Sequence, residues 1–293
     1  MPPTLERLPE PDTLLADMGD PLDPARYDWA AATAQPLTAE ETFQLTYAAQ
    51  VEWGTEGTFE SLNISEDPVV RRFLPIWLEQ EVVHADLLAR FLAARGVHVD
   101  PLHRTPRQRR AIRRGRRVNQ VARRLVGDDF FAVHMTWGAV NEVTTLRFYG
   151  VIRSRTRNEL LRTILRDVMA QEAVHYGFYR NVAIRRLTGN RRGQRITRWA
   201  MEHLWSIVGS GLRSRADSDR LVLELLGTDE STLVPQIDAQ LERIPGLTDL
   251  GLLRRTVDRA RASSTSRQPP RFEKRRRATS ATFAAASAAR LSS

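Results

Sequence analysis

No cysteine occurs anywhere in the 293-residue chain. That excludes disulfides, thiolate metal sites and a cysteine nucleophile, and it fits a chain made for a reducing cytoplasm. Sustained alternation of apolar and polar residues is missing too, so no strand is expected. The longest uncharged apolar stretch, Phe130 to Asn141, is too short to span a bilayer, so no membrane span is expected. Met1 to Asp20 is rich in proline and acid and lacks the basic and apolar regions of a signal peptide. Acidic residues are absent from residues 101–127, which hold ten arginines. Residues 263–293 add six Arg and one Lys against one Glu. The net charge of +9 therefore sits on two basic attachments, and the rest of the chain is mildly acidic. Nucleic-acid binding is a poor reading of that balance, because no aromatic–basic interleaving or binding motif accompanies it.

What is present is helical: 42% apolar content and a five-residue word used twice. The word reads Gln80-Glu81-Val82-Val83-His84 and returns 91 positions later as Gln171-Glu172-Ala173-Val174-His175. Glu-x-x-His places a carboxylate and an imidazole one turn apart on one helix face, so one helix can offer two ligands to one metal. A single copy is common by chance on a helical surface; two copies inside matching words are not. Two such helices, each with a partner helix giving one more Glu, would make the carboxylate di-metal site of a ferritin-like four-helix bundle.

The partner glutamates follow from the geometry of antiparallel helices, in which residues at one level lie equally far from the connecting loop. Glu142 precedes Glu172 by 30 residues across a break expected at Arg153 to Asn158. Glu52 precedes Glu81 by 29 residues across Ser65-Glu66-Asp67-Pro68. Glu56 and Glu60 share a face with Glu52 but both lie too near the loop, and Glu56 is the fallback. Four carboxylates and two neutral imidazoles balance two divalent ions, and this donor set suits two irons (Fe2+), or iron paired with manganese. Without metal, four buried carboxylates would be costly and would take up protons. Glu81 and Glu172 are expected to bridge, Glu52 and Glu142 to be terminal, and His84 and His175 to bind one metal each. His98, His103, His134 and His203 have no such partners and read as solvated or packing residues. Trp53, Trp77, Trp137 and Tyr149 lie near the ligand positions and read as core.

The expected fold is all-α: a ferritin-like four-helix bundle with additional C-terminal helices. A lead-in covers residues 1–37, the helical domain 38–262 and a disordered basic tail 263–293. Thr38 with Glu41 forms a capping box that opens the first helix, which runs to Leu62. The second spans Pro68 to Arg95 with Gly96 as its cap. The Arg-rich segment starts a helix that breaks at Gly127-Asp128-Asp129. The third core helix runs from Asp129 to Ile152 and the fourth from Arg157 to Leu187. Further helices are expected at Gln194 to Leu212, Asp217 to Leu226, Glu230 to Arg243 and Thr248 to Ala262, with a transient one at Phe283 to Leu291.

At these residues the sequence resembles the soluble acyl-[acyl-carrier-protein] desaturases of the ferritin-like di-iron superfamily. The likeness covers roughly Glu40 to Val182. It rests on Trp77 four residues before Glu81, on Glu142-Val143-Thr144-Thr145 as Glu-x-x-Thr, and on Glu172 to Val182 (EAVHYGFYRNV). Where that family often has an acid before the last Glu-x-x-His, Gln171 stands here, in the shell that orients the histidines. The resemblance implies an O2-dependent di-iron oxidoreductase that removes hydrogen from a fatty acyl chain. Thr145 would assist with oxygen or protons, an outside donor such as ferredoxin would supply electrons, and the chain would form a homodimer. Phe59, Trp137, Leu146 and Phe148 are candidates for an apolar substrate slot. Acyl carrier proteins are acidic, so Arg113, Arg114, Arg116 and Arg117 form a candidate docking surface. The alternatives are a di-iron oxygenase of a small-molecule metabolite, or a ferritin-like iron- or peroxide-handling protein with no organic substrate.

Overall fold

A computed structural model describes residues 8–62, 67–227 and 232–267. Among them the secondary structure is entirely helical: α1 (Pro11–Ala16), α2 (Ala39–Leu62), α3 (Pro68–Ala93), α4 (Pro106–Val126), α5 (Asp129–Arg155), α6 (Glu159–Leu187), α7 (Arg191–His203), α8 (Arg215–Leu226), α9 (Leu233–Leu241) and α10 (Leu252–Arg267). No described helix is long and apolar enough to cross a membrane.

Local chemistry sets the helix starts. Thr38 Oγ1 accepts from the Glu41 amide at 3.0 Å, and Glu41 reaches back to the Thr38 amide at 2.7 Å. This reciprocal pair satisfies two donors that the first turn leaves over. Asp67 caps α3 through the amides of Val69 and Val70, with Pro68 at the first helical position. Asn158 caps α6, accepting from the Leu161 amide at 3.0 Å, and its own amide donates to the Ala32 carbonyl at 3.0 Å. Gly96 closes α3 at φ +76°, a conformation that favours glycine, while the Val97 amide bonds the Leu92 carbonyl.

The core joins two antiparallel pairs, α2 with α3 and α5 with α6. Along α3 the buried residues fall at Val70, Phe73, Leu74, Trp77, Gln80, Glu81, His84, Ala85, Leu87, Leu88, Phe91 and Leu92. That is one face at the helical period, and the ligand-type residues sit inside it rather than opposite it. Across the interior Phe73 stacks on Phe178 with ring centroids 3.9 Å apart. Burying each such side chain contributes about 1.5–3 kcal/mol. The lead-in is part of this core: Met18, Tyr27 and Ala32 are buried, and the Asn181 amide of α6 donates to the Pro9 carbonyl.

Several expectations move. The break between α5 and α6 falls at residues 156–158, because α5 continues to Arg155. The helix expected at Gln194 to Leu212 begins at Arg191, where Asn190 caps the Gly193 amide, and ends at His203. Residues 204–214 then run as an irregular segment. Gly209 has φ +84°, and a Cβ there would sit 2.4 Å from Val51 and 2.8 Å from Tyr47, so only glycine permits this close crossing of α2. The tail was expected from Ser263, yet α10 carries on to Arg267. The remainder of that tail, including Phe283 to Leu291, lies outside the described residues, as does Glu230.

Candidate metal centre

Glu52, Glu81, His84, Glu142, Glu172 and His175 are all buried and all meet in the interior. One ligand-type atom from each of Glu81, Glu142, Glu172 and His175 falls within 4.8 Å of the others. His84 Nδ1 stands 3.1 Å from Glu172. His175 Nδ1 stands 3.0 Å from Glu81, 3.7 Å from Glu172 and 4.0 Å from Glu142. Glu52 touches Glu81, and Glu142 touches Glu172, as levels set by the two short loops require. Glu56 is half-buried on the surface and pairs with Arg104 at 3.6 Å, so it is not in the cluster, and Glu60 is exposed.

Burial raises the pKa of Glu52, Glu81 and Glu142, and repulsion from Glu172 raises each further. Burial also works against ionised Glu172, but its attraction to the His175 and His84 imidazoles outweighs it and holds that carboxyl below the usual range. Burial presses both imidazoles toward neutrality. At His84 the Glu172 carboxylate prevails and the pKa rises; at His175 burial prevails and it falls.

The two words exchange partners. His84 Nε2 meets Gln171 Oε1 at 2.9 Å, and His175 Nε2 meets Gln80 Oε1 at 2.7 Å. Each glutamine amide nitrogen is fixed by backbone carbonyls of the lead-in: Gln80 donates to Met18 and Gly19, and Gln171 to Asp20. Carbonyls only accept, so each Gln oxygen must face its imidazole. Both histidines therefore carry the proton on Nε2 and turn a bare Nδ1 toward the carboxylates. His84 Nδ1, His175 Nδ1, Glu81 Oε1 and both Glu172 oxygens have no hydrogen-bond partner. Lone pairs facing lone pairs at about 3 Å are repulsive unless protons or cations stand between them. The donor set and its orphaned atoms fit divalent metal ions.

Two further ligand contacts come from residues read as core. Trp77 Nε1–H donates to Glu142 at 3.1 Å, and the Tyr149 hydroxyl donates to Glu52. Trp53 instead bonds Asp86 on the exposed side of α2.

The lead-in closes the histidine side. Opposite it, a cleft of about 380 Å³ opens onto Glu52, Glu81 and Glu142. Trp137, His134, Asn141 and Thr145 line it from α5, and residues 206–212 form its outer wall. Gln108 of α4 donates to the Gly211 carbonyl of that wall at 3.1 Å. Beyond Val51, Glu52 and Thr145 a narrow, nearly all-apolar slot continues between α2, α5 and α8, past Ala48, Phe148, Ile152 and Leu225. Of the four expected slot residues, Trp137 lines the cleft and Phe148 the slot; Phe59 and Leu146 line neither. Arg113, Arg114, Arg116 and Arg117 are exposed on α4, which has no buried residue. His98 is exposed beside Asp100 and His203 is exposed against Trp199; the His103 side chain lies outside the described residues.

The role of Gln80 was legible only as the first letter of the repeated word. Asn141 and residues 206–212 carried no sequence signal. No protein-family model matches the chain, and no curated protein does either.

Proposed function

We propose that the chain is an O2-dependent di-iron oxidase with a ferritin-like core, acting on the alkyl portion of an organic substrate. The observation that carries this is the convergence of six buried carboxylate and imidazole side chains, four of which (Glu81, His84, Glu172 and His175) turn unpartnered atoms inward. Glu81 and Glu172 would lie between two metal ions, with Glu52 and Glu142 terminal and one histidine on each. Iron held there would supply O2 reduction and the removal of hydrogen from an unactivated carbon.

The protein residues divide the remaining work. Gln80 and Gln171 hold the imidazoles in register. Trp77 and Tyr149 orient the terminal carboxylates. Thr145 stands at the junction of cleft and slot, where it can hand a proton to the Glu52 side. The slot follows α5 from Thr145 to Ile152, about 10 Å of helix, with free space of only about 20 Å³, so a short alkyl segment would enter it by displacing its apolar side chains. An acyl chain on an acidic carrier is the first substrate reading, with α4 beside the cleft as the docking face and an outside donor such as ferredoxin giving electrons. A small-metabolite oxygenase is the second, favoured by the polar groups of His134, Asn141 and Thr145 in the cleft.

Metal analysis joined to a product screen tests the proposal. Two irons per chain and loss of two hydrogens from an acyl-carrier substrate are expected. Glu142→Ala and His175→Ala should abolish paired iron binding, whereas Glu60→Ala should not. Retention of two irons in the first two variants would refute the ligand assignment.

A further inference from the structure

The floor of the cleft is one face of α5. His134, Asn141 and Thr145 follow one another at seven and four residues, so they stand in a row about 16 Å long on the cleft side. None of the three is exhausted by internal bonds. Asn141 Oδ1 accepts from Trp205 Nε1 at 3.1 Å, which fixes the amide and leaves its NH2 with two unused donors. Among the described residues neither the Thr145 hydroxyl nor the His134 ring has a hydrogen-bond partner, and the His134 ring packs edge-on against Phe130 at 4.3 Å between centroids. Burial lowers the His134 pKa to about 4, so the ring is neutral at pH 7 and offers one donor and one acceptor. Among the described residues that line the cleft there is no Lys or Arg, while three carboxylates do line it. Such a surface satisfies neutral amide, hydroxyl or carbonyl groups and leaves an anionic head group without a counter-charge.

Resting on the proposed oxidase reading, we infer that the substrate is an uncharged polar molecule with amide or hydroxyl groups, read by His134 and Asn141 in the cleft, with an alkyl end in the slot. Any anionic carrier or phosphate belongs outside the cleft, toward the arginines of α4. Asn141 and His134 are then specificity-determining residues, distinct from the metal ligands.

Octanamide and octane-1-sulfonate test this, since they share a tail and the sulfonate is a poor metal ligand. The full chain loaded with redox-silent Zn2+ is titrated with each by calorimetry, and its metal content is measured on the same sample. Octanamide should bind saturably and the sulfonate at least tenfold more weakly. Asn141→Leu and His134→Phe should each weaken the amide at least fivefold without changing the metal content. Equal affinity for the two probes, absence of saturable amide binding, or wild-type affinity in both variants would overturn the inference. Fewer than two metals per chain, with the amide preference intact, would instead count against the oxidase reading alone.

Discussion

Replacing Gln80 by Leu removes one oxygen and one amide while keeping nearly the same volume. In the native chain that oxygen accepts the Nε2–H of His175 at 2.7 Å, and the amide reaches Met18 and Gly19 at 2.8 and 3.1 Å. Gln80 is fully buried, so the His175 N–H left behind cannot turn to water. An orphaned buried donor costs about 1–3 kcal/mol. Nothing then prevents the imidazole from taking its proton on Nδ1, where it can hydrogen-bond Glu81 at 3.0 Å. That tautomer blocks the atom a metal needs. Loss of such an orienting partner weakens metal affinity about 10- to 100-fold. The defect should also be one-sided. Gln80 lies in the first word but serves the histidine of the second, so the site built on His175 should weaken and the site built on His84 should hold. Cobalt titration, followed by its visible absorption, should change from two tight equivalents to one tight and one weak. Gln171→Leu should give the mirror result through His84. Two unchanged tight sites in Gln80→Leu would refute the tautomer argument.

Three other outcomes follow from the same geometry. Glu81 and Glu142 have raised pKa values, so the folded metal-free chain keeps protons that the unfolded chain sheds above the ordinary value of 4.5. Their contribution to stability is present below that value and is lost as pH rises toward the folded pKa. The lowered pKa values of His134 and His175 oppose this until the unfolded histidines, with an ordinary value of 6.5, have shed their protons, and above about pH 7.5 the carboxyls act unopposed. Metal-free protein should thus lose up to about 1.4 kcal/mol per pH unit for each retained proton from about pH 7.5 to 8.5, while metal-loaded protein should not; urea melts at several pH values read this, and parallel curves would contradict it. Gly138→Ala would gain up to about 1 kcal/mol of helix propensity, but its Cβ would meet the buried Tyr179 ring at 2.3 Å. Overpacking of about 1–3 kcal/mol should win, and a net stabilisation in urea would show that the ring can yield. Reversing Arg113, Arg114, Arg116 and Arg117 to Glu should weaken binding of an acidic carrier protein at least tenfold at low salt and far less at high salt, read by calorimetry; unchanged affinity would exclude α4 as the docking face.

Much of the helical framework was legible because its signals are local. A capping box, Pro68 after a capping Asp67 and a glycine after α3 each act within a few residues. The level argument placed Glu52 beside Glu81 and Glu142 beside Glu172 because short loops leave antiparallel helices little freedom of register. What escaped was set by contacts distant in sequence. A helix was expected to run on to Leu212, yet from Leu204 the chain leaves it: Trp205 is buried with its N–H on Asn141, and the Tyr47 hydroxyl donates to the Val208 carbonyl at 2.9 Å. Those bonds outweigh a weak propensity. Phe59 and Leu146 failed as slot residues because nearness in sequence to a ligand fixes height along a helix but not the face.

The repeat also explains why one side of the cluster is closed and the other open. Both words present their glutamine on the side that holds the histidines, so two amides emerge there together and need acceptors. The lead-in carbonyls of Met18, Gly19 and Asp20 provide them, and this draws a chain segment across that side. On the Glu52 and Glu142 side, Trp77 and Tyr149 already satisfy the carboxylates from within the helices. No covering segment is required, and residues 206–212 can stand off as a wall that leaves room for a substrate. The direction from which a reactant reaches the cluster is thus a consequence of the letter before each Glu-x-x-His.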